Sequence, residues 1–103
     1  MIPEKNNFYA TFEHIEISTV KEALERAGWV SRRVSEIDID LKNDWSDLLL
    51  QDDKPNSLIS GAIIIGERSL QLLDSVFKTL NTTFKYELYD DNENILVEKE
   101  FRV

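Results

Sequence analysis

The chain has 103 residues, with 12 Lys and Arg against 20 Asp and Glu for a formal net charge of −8. At 12.0 kDa this is room for one domain, residues 1–103. With 42% hydrophobic residues and only 3 Gly and 2 Pro, it can bury a core and is no disordered acidic tail, while the lack of Cys and the single His exclude disulfide scaffolds, thiol nucleophiles, thiolate zinc sites and His-rich metal centres.

The first seven residues carry neither an apolar signal core nor a basic leader, which predicts a cytoplasmic protein. The longest apolar run, residues 62–65, is far short of the roughly 20 residues of a membrane span. Residues 8–17 alternate, with a change of parity near Glu13 and His14, and predict a strand with a bend. Thr19 and Glu22 fit a capping box, which predicts a helix over about residues 20–28 with Val20, Ala23, Leu24 and Ala27 on one face. Gly28 supplies its left-handed stop.

Residues 36–42 alternate strictly, a strand with Ile37, Ile39 and Leu41 inward and Glu36, Asp38, Asp40 and Lys42 outward. Asn43 or Asp44 then suits the cap of a single helical turn over residues 45–50, and the polar residues 51–57 read as a loop. Residues 58–65 form an apolar stretch, a buried strand with Gly61 at a bulge or close approach, which Gly66 ends. Leu70, Leu72, Leu73, Val76, Phe77 and Leu80 follow helical spacing and predict a helix over about residues 67–80. The last 20 residues read as a hairpin: Phe84, Tyr86 and Leu88 inward, a turn at 90–94, then Ile95, Val97, Phe101 and Val103. The expectation is an α+β, two-layer domain of about five mainly antiparallel strands and two helices, closing in a β-hairpin.

Familiar chemistry finds little support in these residues. Asp38-x-Asp40 opens like a calcium loop, but Lys42, Asn43 and Leu49 stand where an oxygen ligand, the turn glycine and the closing Glu belong. His14 as a general base needs Glu16 or Ser18 beside it, and neighbours on a strand alternate faces. Gly66 is a single glycine followed by a carboxylate, a poor phosphate cradle. Arg32-Arg33 is the only adjacent basic pair, against what phosphate contacts require. The expectation is a non-enzyme without cofactor or metal and without direct nucleic-acid contact.

One stretch stands out. Residues 36–53 hold seven acids against one base, Lys42, with Trp45 and Leu48, Leu49 and Leu50 among them. An aromatic anchor in an acidic surface is the composition of a patch for a basic protein. Its expected contact residues are Glu36, Asp38, Asp40, Asp44, Trp45, Asp47, Leu48, Asp52 and Asp53. The alternative is that Trp45 and the leucines close the core and the acids only solubilise it. A second acidic group, Glu87, Asp90, Asp91, Glu93, Glu98 and Glu100, lies on the hairpin, where loop chemistry accounts for Asp90 and Asp91.

The stretch Ser57-Leu58-Ile59-Ser60-Gly61-Ala62-Ile63-Ile64-Ile65-Gly66-Glu67-Arg68-Ser69-Leu70-Gln71-Leu72-Leu73, followed by Phe84-Lys85-Tyr86-Glu87-Leu88-Tyr89, resembles small bacterial immunity proteins encoded beside polymorphic toxins. The shared feature is an apolar strand, a polar helix start, a Leu-x-Leu-Leu helix and a strand. The resemblance covers roughly the second half of the chain and departs at Gly66, where a Ser-type cap is usual. It implies neutralisation of a cognate toxin, often a basic nuclease, in the producing cell's cytoplasm. Two other classes compete: an acidic nucleic-acid mimic that inhibits a defence nuclease, and a homodimeric or subunit interaction domain.

Overall fold

Alternating apolar residues dominate this chain, and a sheet is what that alternation builds. The computed structural model describes residues 5–64, 66 and 68–103. In chain order the elements are β1 (Lys5–Phe12), α1 (Ile17–Arg26), β2 (Val30–Arg33), β3 (Asp38–Asn43), β4 (Ser46–Asp53), β5 (Asn56–Ile64), α2 (Ser69–Lys78), β6 (Phe84–Tyr89) and β7 (Ile95–Phe101). The seven strands form one antiparallel sheet in the order β2-β3-β4-β5-β1-β6-β7.

The expectation of about five strands is therefore corrected to seven. Residues 45–50 are not a helical turn. From Ser46 onward they belong to β4, which pairs with both β3 and β5. Leu48 and Leu50 enter the core while Leu49 points to the other face, and three successive leucines hide that period of two. Asn43 does cap a turn, but a hairpin turn: its Oδ1 accepts from the Trp45 amide at 3.0 Å and the Ser46 hydroxyl at 2.7 Å. The loop expected over 51–57 is the end of β4, a two-residue turn and the start of β5. The other unexpected strand, β2, is four largely exposed residues held through the Arg32–Asp40 register. β3 begins at Asp38, so Ile37 lies before it and is exposed rather than inward.

The helices also shift. α1 spans Ile17–Arg26 rather than 20–28, and the Thr19–Glu22 box is not used: Glu16 is the cap residue and its carbonyl accepts from the Thr19 and Val20 amides. The strand expected through residue 17 stops at Phe12, because His14 takes a positive φ of 51° and turns the chain. Gly28, at φ 111°, closes α1 with its amide on the Glu25 carbonyl, while the Trp29 amide bonds the Leu24 carbonyl, the paired bonds of a Schellman stop. α2 spans Ser69–Lys78. The expected helix start at Glu67, and Ile65 at the end of the apolar stretch, lie outside the described residues, as do residues 1–4.

Both helices pack on one face of the sheet, α1 over β2, β3 and β4, and α2 over β1 and β6. Phe77 of α2 sits among Phe8, Phe12, Phe84 and Tyr86, with ring centroids 4.8 to 6.3 Å apart. At Gly61 the β4 backbone comes so close that a Cβ would stand 2.9 Å from the Leu48 Cα, the close approach that the sequence suggested. Among the described residues no helix is long and apolar enough to cross a membrane.

Candidate functional site

With both helices on one side, the opposite face of the sheet is uncovered among the described residues, and the strand registers fix what it displays. One row crosses all seven strands: Arg32, Asp40, Leu49, Ser60, Tyr9, Glu87 and Glu98. The row beside it runs Val30, Lys42, Asp47, Ala62, Asn7 and Tyr89. Small residues at Ser60 and Ala62 between Leu49 and Tyr9 leave a shallow groove of about 520 Å³. Tyr9 is 47% exposed and meets Tyr89 edge to face at 5.8 Å. The Tyr89 hydroxyl donates to the Glu87 carboxylate, which pushes its pKa up. The face is thus an aromatic and aliphatic strip edged with charges of both signs, Arg32 and Lys42 beside Asp40 and Asp47 on one side and Glu87 and Glu98 on the other, which suits a protein surface better than a small molecule.

The residues expected from the acidic run do not gather in one place. Asp38, Asp40 and Asp47 lie on the open face. Asp40 is paired with Arg32 at 3.2 Å and Asp47 with Lys42 at 3.8 Å, while both oxygens of Asp38 are engaged by Ser35 and Gln51. Asp44 and Trp45 form the β3–β4 turn at one end of the sheet. Trp45 is half-buried, packs on Trp29 at 5.2 Å, and with Leu72 lines a mostly apolar hollow of about 530 Å³. Glu36, Asp52 and Asp53 stand at the opposite end, Asp52 paired with Lys54 at 3.8 Å. Leu48 has no exposed surface and is corrected from contact residue to core residue, since its parity on β4 matches Ser46 and Leu50.

At that opposite end a cavity of about 780 Å³ is lined by His14, Glu16, Ser18, Arg33, Glu36 and Asp52, among others. The objection that His14 and its neighbours alternate along a strand does not apply, because residues 13–16 form a loop. Among the described residues, however, no hydrogen bond joins the His14 ring to Glu16 or Ser18, and Arg33 is turned onto the carbonyls of Ser35 and Glu36 at 3.1 Å. The described residues also hold no cluster of ligating side chains suited to a metal ion.

Of the residues on this face, Leu49 belongs to the leucine run that the sequence sets within the acidic patch, whereas nothing in the sequence singles out Tyr9 or Tyr89. Tyr9 was legible by parity, lying between the inward Phe8 and Ala10, but one exposed tyrosine carries no signal until β6 is known to bring Tyr89 beside it. Comparison with family models, curated proteins and solved structures finds no match to this chain.

Proposed function

We propose that this protein is an inhibitor of the immunity type, which binds a basic toxin domain in the producing cell's cytoplasm and holds it inactive through the open sheet face. The observation that carries the reading is the one-sided architecture: both helices cover one face, and the other presents Tyr9, Tyr89 and Leu49 among Asp40, Asp47 and Glu87. Exposed aromatic and aliphatic groups supply the desolvated anchor of an interface, and a polar rim surrounds it. The net charge of −8 supports the choice of a basic partner, because complementary fields raise association rates about 10- to 10³-fold at low salt. The resemblance over residues 57–89 points the same way.

The test is rescue. Tagged protein retrieves its salt-sensitive partner from the native host; that partner is expressed alone and then with this chain. Growth arrest by the partner, relieved by the wild-type chain and not by Tyr9→Ala combined with Asp47→Lys, is the expected result. A harmless partner, rescue by the double variant, or recovery of this chain alone overturns the reading.

A further inference from the structure

The two edges of the sheet are unlike. β2, at one edge, is four residues long, and its Arg32 neutralises Asp40 on β3. β7, at the other, spans seven residues and pairs only with β6 among the described strands. A free edge of that length presents a row of unpaired amides and carbonyls, a template for another strand. On one face of β7, Glu100 is paired with Arg102 at 2.6 Å and stands opposite Lys85, but Glu98 is not balanced in this way. Glu98 stands directly opposite Glu87 of β6, and among the described residues no cation lies within ion-pair distance of either. Like charges in that position are destabilising, so the pair gains from a cation supplied from outside.

The helix-side face of β7 differs. Val97 and Phe101 are half-buried and pack against the core, and Lys99 between them is taken up by Asp74 at 2.8 Å. A strand laid along β7 would set its side chains alternately beside Glu98 and Glu100 on one face and beside Val97 and Phe101 on the other. A second copy fits badly, because the register of full overlap sets Glu98 against its own symmetry mate and joins two chains of net charge −8.

We propose that the free edge of β7 accepts an eighth strand from a basic protein: an extended segment with Lys or Arg at alternate positions and apolar residues between them. Main-chain bonds supply the affinity of such β-addition, and the alternating side chains supply its selectivity. The proposal rests on the preceding reading for the basic character of the partner, and it names which part of that partner is gripped.

The probe is a capped hexapeptide of alternating Lys and Val, titrated into the isotope-labelled full chain, with an alternating Glu and Val peptide and an N-methylated Lys and Val peptide as controls. The Lys peptide is expected to shift and protect β7 amides, to weaken as salt is raised, and to lose about tenfold or more in affinity against Glu98→Lys. Glu98→Gln should fall between the two. Undisturbed amides outside β6 and β7 verify that the variants fold. Binding that N-methylation leaves intact, shifts centred on Tyr9 and Asp47 instead of β7, indifference to Glu98→Lys, absence of binding, or a β7-paired dimer each overturns the proposal. The experiment needs no toxin, so its failure leaves the rescue assay standing, and a failed rescue leaves the peptide result standing.

Discussion

Glu87 and Glu98 face one another across β6 and β7 with the Tyr89 hydroxyl bonded to the first and no described cation beside either. A purely structural hairpin gains nothing from that arrangement. Glu98→Lys places a cation opposite Glu87 and is expected to raise the thermal midpoint by a few degrees at most, while it weakens capture of a basic partner. Melting curves and partner retention at low salt are measured on the same preparations. A variant that is both less stable and fully competent in binding contradicts this account of the pair.

Leu48 and Leu49 are adjacent in sequence and opposite in role. Leu48 is enclosed by the core, whereas Leu49 lines the open groove beside Tyr9. Leu48→Ala removes buried methyl groups and should cost about 2–5 kcal/mol of stability. Leu49→Ala should leave the urea midpoint nearly unchanged and weaken binding of the partner. Equal destabilisation by both would mean that the open face is covered in solution.

The Trp29 corner gives a spectroscopic prediction. The Trp29 indole donates to the Ser46 hydroxyl at 2.8 Å, which in turn donates to Asn43 at 2.7 Å. Ser46→Ala leaves a buried indole N–H without its acceptor and should cost about 1–3 kcal/mol. Trp29 and Trp45 are the only tryptophans, so fluorescence reports this corner directly, and a shifted emission maximum should accompany the lost stability. An unchanged urea midpoint would show that the indole finds another acceptor.

These residues show what was readable in advance. The hairpin of β6 and β7, the buried stripe of α2 and the Gly28 stop follow from period, parity and backbone freedom, which are local properties. The parity expected of Ile95 and Val103 fails, however: a register shift beside Tyr89 leaves Ile95 exposed, and Val103 lies exposed past the end of β7. Leu72 at the margin of the α2 stripe is exposed as well. β2 and β4 were not readable in the same way. Val30–Arg33 is polar and short and is a strand only because β3 lies beside it, and the Leu48-Leu49-Leu50 run carries no parity of its own. The acidic run misled for a related reason. Charge density along a sequence is not charge density in space, and a strand followed by two tight turns spreads Asp40, Asp44 and Asp52 over a face and two ends. The aromatic pair on the open face joins Tyr9 and Tyr89, 80 residues apart in number, a relationship that belongs to the sheet order alone.

Asp74 and Tyr86 tie α2 to the C-terminal hairpin and make stability depend on pH at both extremes. Burial raises the Asp74 pKa, but hydrogen bonds from Lys99, Lys78 and Tyr86 outweigh it and hold the carboxyl below its ordinary value. A depressed folded value means a contribution present above the ordinary aspartate value and lost as pH falls through the folded one. Tyr86 is pushed up to about 12 by burial first, then by the Asp74 charge and the hydrogen bond to it. Its contribution is complete below the ordinary tyrosine value near 10 and is lost as pH rises toward about 12. Asp74→Asn removes the carboxylate from both ends at once. Urea midpoints followed across pH should fall less steeply in acid for the variant than for the wild type, and alkaline destabilisation should be confined to a narrower window above the ordinary tyrosine value. Parallel curves displaced by a constant amount would mean that Asp74 contributes packing and not charge, because a purely steric loss has no reason to change with proton binding.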